Sequence, residues 1–309
     1  MPARSPITTA LCCLAVLLTG PAPTAGAQTN RPRTPAPTHT AATYGPHPRH
    51  VMDLWLADRD EPTPLAIYIH GGGFTGGSRR SINPAMLNAL LDAGISVAAL
   101  DYRLLQDARL PAAHEDVVRA VQKLRHNADR LNLDPTRFGG FGGSAGAQLV
   151  MYLAYHEDFA DPDHPEPFAR QSSRLQAVAP SGGQTSMDPA WWVEHVPGYD
   201  HPHRSFRDGT DAANDEQFAE IVADISAIDL ISPDDPPTYL TYRMSPNDEV
   251  PSDARRAQSW MIHHVVFGTT LRDLVEPMGV EMHLSYPGAS TPYDSPTAFL
   301  IDKLGGAKP

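Results

Sequence analysis

The chain has 309 residues, 41% of them hydrophobic and 19% charged, with 24 basic side chains against 36 acidic and a formal net charge of −12. That content is enough for a buried core in one large or two small domains, and it excludes wholesale disorder. The acidic balance argues against nucleic acid or an anionic membrane surface as the main partner.

In chain order, Arg4 precedes the apolar run Leu11–Leu18, which is followed by Gly20, Pro21 and Ala25-Gly26-Ala27. A basic start, a short apolar middle and an A-x-A end predict a secretory signal peptide over 1–27, cut near Ala27, and a secreted or periplasmic protein. The run is too short to span a bilayer, and no other segment approaches about 18 apolar residues. Cys12 and Cys13, the only cysteines, fall inside it. The expected mature chain therefore has no disulfide, no Cys-ligated metal and no thiol nucleophile. Residues 28–43, rich in Pro and Thr, predict an extended, mobile linker.

From Tyr44 to the end (44–309), strand and helix patterns alternate. Strands are predicted at Val51–Leu56, Leu65–Ile69, Ile95–Leu100, Phe138–Phe141, Leu175–Ala179, Thr238–Tyr242 and Val280–Tyr286. Between them lie helical stretches: Pro84–Ala93, the stripe Val117, Val121, Leu124 and Ala128, and Ala147–Tyr155. Ser252–Trp260 and Thr269–Met278 read the same way. This cadence predicts an α/β fold with a mostly parallel central sheet flanked by helices. Over 187–223 the pattern lapses. Trp191, Trp192, Tyr199, His201, His203 and Phe206 sit there among prolines, glycines and aspartates, as in a long loop insertion.

Two motifs carry chemistry. Gly142-Gly143-Ser144-Ala145-Gly146 lies between a predicted strand and a predicted helix. A serine on such a tight turn needs small residues two places before and after it. His70-Gly71-Gly72-Gly73-Phe74 directly follows the strand Leu65–Ile69. Three consecutive glycines let the backbone approach a substrate and aim N–H groups at one oxygen, as acyl transfer requires. The Ala145 amide, at a helix start, is a natural further donor. A phosphate loop is disfavoured because no G-K-[ST] follows.

On these residues, with Asp101-Tyr102-Arg103 after the next strand, the chain resembles the α/β-hydrolase superfamily. It is most similar to the esterase/lipase branch with an HGGG loop, the hormone-sensitive-lipase-like and feruloyl- or acetyl-esterase-like enzymes. The resemblance runs from about Tyr44 to Leu304. It implies Ser144 as acyl-forming nucleophile, Gly72, Gly73 and Ala145 as oxyanion donors, and a structural role for Asp101-Tyr102-Arg103. No cofactor is implied, because hydrolysis uses only water and side chains. The family pattern departs mildly at Gly143 and Ala147, where relatives often carry an acidic residue and a glycine.

The remaining partners depart further. Relatives often show D-x-x-V-P after the strand that here is Thr238–Tyr242, and that register puts Asn247 in the acid's place. Asp248 is the candidate if the loop is one residue shorter. The histidine expected after the last strand is absent, since none follows His283, and His283 is expected to face away from the serine. Without a base, Ser144 would be a poor nucleophile. His263 and His264, between two helical stretches, are candidates for a relocated base, although the reading as packed histidines hydrogen-bonded to backbone carries slightly more weight. His195, His201 and His203 rank below them, and their spacing with Asp200 and Asp208 matches no metal motif.

The leading expectation is an exported serine carboxylic-ester hydrolase acting on a small-molecule or polysaccharide-linked ester. The rival is a catalytically impaired ligand- or partner-binding protein of the same fold. A serine peptidase of the prolyl-oligopeptidase type ranks last.

Overall fold

The computed structural model describes residues 32–200 and 207–305. One sheet of eight strands runs in the order β1-β2-β4-β3-β5-β6-β7-β8. The strands are β1 (His39–Thr43), β2 (Val51–Trp55), β3 (Thr63–Ile69), β4 (Ser96–Leu100), β5 (Leu133–Gly143), β6 (Ala177–Ser181), β7 (Thr238–Thr241) and β8 (Met282–Ser285). The two pairings made by β2, with β1 and with β4, are antiparallel, and all the others are parallel.

Alternation along the central strands divides the core into two layers. Leu65, Ile67 and Ile69 of β3 and Ala98 and Leu100 of β4 face one layer, while Ala66, Val97 and Ala99 face the other. The first layer is closed by α2 (Ala112–His126), α3 (Ala145–Tyr155) and α8 (Val266–Val275). The second is closed by α1 (Pro84–Asp92) and α9 (Pro296–Lys303). A strand buried on both faces reads as a continuous apolar run, which is why β3 and β4 were legible as such. Gly139 and Gly140 of β5 let the layers close tightly. A Cβ on either would lie within 3.0 Å of the neighbouring strand or of Leu175.

Two expectations need correction, and a third concerns residues not described. The end of the supposed linker is structured: β1 pairs with β2, and the Trp55 indole N–H donates to the Pro35 carbonyl at 2.9 Å. The cause is that β2 would otherwise expose an unpaired edge, and this polar segment supplies the partner. The stretch 187–223 is not simply a loop. It contains α4 (Pro189–His195) and most of α5 (Asp215–Asp224), which is followed by α6 (Ala227–Leu230). Asp188 and Asn214 cap the first two, each accepting from an amide of the first turn. Trp191 and Trp192 both pack on Phe267 of α8, so the aromatics anchor these elements. The expected signal peptide, His201 and His203 lie outside the described residues. Among those described, no helix is long and apolar enough to cross a membrane.

Candidate active site

Strand β5 ends in a sharp turn at Ser144, which has φ 55° and ψ −124° and leads directly into α3. A non-glycine residue held there is strained by about 1–3 kcal/mol, an amount that surrounding contacts must offset. They do so on several sides. The Ser144 amide donates to the Ser181 carbonyl of β6 at 2.9 Å. Gly142 and Gly146 lie where side chains cannot fit. A Cβ on Gly142 would come within 2.5 Å of the Ile69 carbonyl, and one on Gly146 would strike the same oxygen.

The glycine-rich loop after β3 lies against this turn. A Cβ on Gly71 would sit 2.5 Å from the Gly143 carbonyl and 3.3 Å from the Ser144 Cβ. Gly72 (φ 125°) and Gly73 (φ 57°) adopt left-handed backbone that favours glycine. The loop is held from beneath by Asp101-Tyr102. The Tyr102 hydroxyl donates to the His70 carbonyl at 2.8 Å, and its ring stacks on the His70 imidazole at 4.4 Å. Asp101 accepts from the Arg79 amide at 2.7 Å and from its guanidinium at 2.5 Å, and Arg79 is also 3.0 Å from Asp53. Arg103 pairs instead with Asp116. Asp101 and Tyr102 are thus the buried support for the loop, and Arg103 is not part of it.

The imidazole facing Ser144 belongs to His263, the residue that caps the C-terminus of α7 (Ala254–Ile262). Its Nε2 lies 2.9 Å from the Ser144 Oγ, and its Nδ1 lies 2.8 Å from the Ser259 carbonyl. A carbonyl can only accept, so Nδ1 carries the proton and Nε2 presents a lone pair to the serine hydroxyl. Burial lowers the His263 pKa, the Ser259 contact opposes that shift, and the positive charge of Arg243 adds to it. The ring is therefore neutral at neutral pH. The segment is strapped down from the loop after β6: Gln184 donates to the Ile262 carbonyl at 2.5 Å, and Thr185 donates to the Phe267 carbonyl at 2.8 Å.

The other candidates lie elsewhere. Asp248 is exposed and closes its own loop, accepting from the Ser245 amide at 2.9 Å. No carboxylate among the described residues contacts His263, and the charge of Asp248 is felt by His264 instead. His264 is 2% exposed, accepts from the Val266 amide through Nδ1 and packs on Trp260. His283 pairs with Glu281 on the edge strand β8, and His195 stacks on Trp191 while its Nδ1–H donates to the Trp191 carbonyl. Sequence reasoning did not single out the Ser259 carbonyl. A backbone acceptor leaves no residue signature, although helical spacing from 259 to 263 does put the two on one face.

A cavity of about 550 Å³ opens over Ser144 and His263. Gly72, Gly73 and Ala145 form one wall, and Phe74, Leu110, Met187, Trp192 and Ile262 supply apolar surface. A larger hollow of about 750 Å³ between α1 and α9 shares no residue with it and contains no comparable pair. Ser144 therefore combines a strained turn, a neutral imidazole and a helix N-terminus around one cavity. That arrangement suits attack on a carbonyl whose oxygen becomes negative.

Comparison with known proteins gives a consistent picture. The family model described as BD-FAE matches residues 52–257, two-thirds of the chain. An ethyl acetate hydrolase of Pseudomonas putida is 35% identical over 104 residues, 33% of either chain. Esterase LipC of Mycobacterium tuberculosis is 30% identical over 148 residues, 47% of this chain and 33% of that one. The chain thus spans about a third of the length of the curated relatives it matches. Among solved structures, a truncated carbohydrate esterase from gut microbiota superposes with a TM-score of 0.67 at 20% identity, covering 89% of this chain and 99% of that one. A butyrate-bound thermophilic esterase from Thermogutta terrifontis gives a TM-score of 0.60 at 20% identity, over 82% and 83% of the chains. These likenesses show the α/β-hydrolase fold, and the family match shows that the chain belongs to the BD-FAE family.

Proposed function

We propose that the protein is an exported serine carboxylic-ester hydrolase in which His263, with no carboxylate against it among the described residues, is the base for Ser144. The contact between His263 Nε2 and Ser144 Oγ carries the reading. The Ser144 hydroxyl passes its proton to Nε2 as Oγ bonds to the ester carbon. The carbonyl oxygen takes the negative charge, facing the amides of Gly72, Gly73 and Ala145. Collapse expels the alcohol, which takes the proton back from Nε2 and leaves an acyl group on Oγ. Water then repeats the sequence, giving its proton to Nε2, releasing the acid and restoring the serine.

In the usual triad a carboxylate fixes the imidazole tautomer and stabilises the imidazolium. Here the Ser259 carbonyl does the first task. The C-terminal end of α7 contributes to the second, by about 0.3–1 kcal/mol if exposed and up to about 2 if partly buried. The sequence relatives described as ester hydrolases support the substrate class. Export rests on the pattern of residues 1–27. The test is turnover of short-chain p-nitrophenyl esters by the mature protein. Ser144→Ala should abolish it. Equal rates in wild type and Ser144→Ala would reject the serine mechanism, and no turnover at any pH would favour the ligand-binding alternative.

A further inference from the structure

We infer that Arg255 selects esters bearing a carboxylate remote from the reacting carbonyl. The inference rests on the esterase reading above. Five residues of the α7 segment line the Ser144 cavity: Arg255, Gln258, Ser259, Ile262 and His263. Their spacing of three, four, seven and eight residues from Arg255 is that of one helical face. At 1.5 Å per residue, the Arg255 and His263 backbones stand about 12 Å apart along the axis. One end of the stripe thus carries the base and the other carries a permanent cation.

The charge distribution sharpens the case. The chain is strongly acidic, yet no Asp or Glu lines this cavity among the described residues. Arg255 is exposed there, with no hydrogen bond or ion pair among the described residues. Asp253, its nearest acid in sequence, is occupied as the α7 cap, accepting from the Arg256 amide at 2.9 Å. A guanidinium presents a planar fork of donors that fits a carboxylate in two places. Gln258, one turn further along the same face, adds a polar side chain to the lining. Between the two ends, Ile262 and the Trp192 wall favour an apolar spacer. The matching substrate is an ester with its reactive carbonyl at Ser144, an apolar middle and a terminal carboxylate, on either the acyl or the alcohol side.

Two pairs of probes distinguish the sides. 4-Nitrophenyl hydrogen adipate carries the anion on the acyl group, and 4-butanoyloxybenzoate carries it on the alcohol. The methyl ester of each is the neutral counterpart. Wild type should favour the anion in at least one pair by about tenfold in kcat/KM, mainly through KM, as expected for a hydrogen bond to a charged group. The preference should shrink with added salt. Arg255→Gln should bring the ratio to about one, and Arg255→Lys should retain part of it. No preference in wild type, or a preference that survives Arg255→Gln, would overturn the inference. Binding of 4-nitrophenyl hydrogen adipate and 4-butanoyloxybenzoate to Ser144→Ala, measured by calorimetry with and without Arg255→Gln, decides the arginine's role even without turnover. Loss of all turnover in wild type would count against the esterase reading alone.

Discussion

The Ser259 carbonyl accepts a hydrogen bond from the Nδ1–H of His263 at 2.8 Å, which leaves Nε2 as an acceptor 2.9 Å from the Ser144 hydroxyl. Both residues belong to one helical turn, so the orientation of the base depends on the integrity of the α7 C-terminus. Its strap, the bond from Gln184 to the Ile262 carbonyl, thereby becomes part of the same device. Gln184→Ala should lower kcat several-fold with little change in KM, while Gln184→Glu, which removes the donor, should behave like the alanine variant. Steady-state kinetics on one neutral ester checks this. A glutamate variant as fast as wild type would show that the bond is dispensable.

The pH profile should carry the signature of a half-buried base that feels a nearby positive charge. Burial and Arg243 both hold His263 below the ordinary imidazole value of 6.5. The base works only when neutral, so kcat/KM should rise with pH, reach half-maximum below 6.5 and be flat at neutrality. Arg243→Gln removes a positive neighbour and should move that midpoint upward. A midpoint above 6.5 in wild type, or a downward shift in the variant, would contradict the assignment.

The adjacent histidines should separate by phenotype. His263→Ala should lose about 10²–10⁴-fold in turnover, the usual contribution of a positioned acid–base group. His264→Ala should keep the rate but lose stability by about 1–3 kcal/mol, because the ring is buried against Trp260. Turnover and urea midpoints on the same samples distinguish the two outcomes. The reverse pattern would exchange their roles.

Within the serine turn, glycine matters unevenly. Gly142→Ala forces a Cβ to within 2.5 Å of the Ile69 carbonyl, whereas a Cβ on Gly143 meets nothing nearer than the Ser181 carbonyl at 3.8 Å. Gly142→Ala should therefore destabilise by about 1–3 kcal/mol or more and displace the serine. Gly143→Ala should fold and turn over much as wild type does. Denaturation and esterase assays on both variants check the contrast, and equal losses would contradict it.

The support beneath the glycine loop should be costly to break. Asp101→Asn leaves the buried Arg79 guanidinium with Asp53 as its only carboxylate, so a loss of up to about 3–5 kcal/mol is expected. Tyr102→Phe removes one hydrogen bond to the His70 carbonyl and should cost about 0.5–1.5 kcal/mol. Urea denaturation measures both. A larger loss in Tyr102→Phe than in Asp101→Asn would mean that the ion pair is not the main support.

Sequence legibility followed the physics of each element. Strands β3 and β4 announce themselves because burial on both faces requires unbroken apolar runs, and the serine turn does so because only glycine fits at positions 142 and 146. The strand β1 was hidden because an edge strand pairs through its backbone and can have polar side chains, as His39–Thr43 does. Helix α4 was obscured by surrounding prolines and glycines, although Asp188-Pro189 is a helix start. The base was narrowed to His263 or His264 but no further: the two differ by one position on a helix end, and only coordinates say which turns to the cavity. Family register put Asn247 in the acid's place, and Asp248 followed only from a loop one residue shorter; here that loop folds back on Ser245.

The most direct measurement is mass spectrometry of the protein after reaction with a fluorophosphonate at neutral pH. A single adduct on Ser144 is expected, formed rapidly in wild type, absent in Ser144→Ala and slowed by at least about a hundredfold in His263→Ala. A protein that stays unmodified, or an adduct at another residue, would contradict Ser144 as the activated nucleophile.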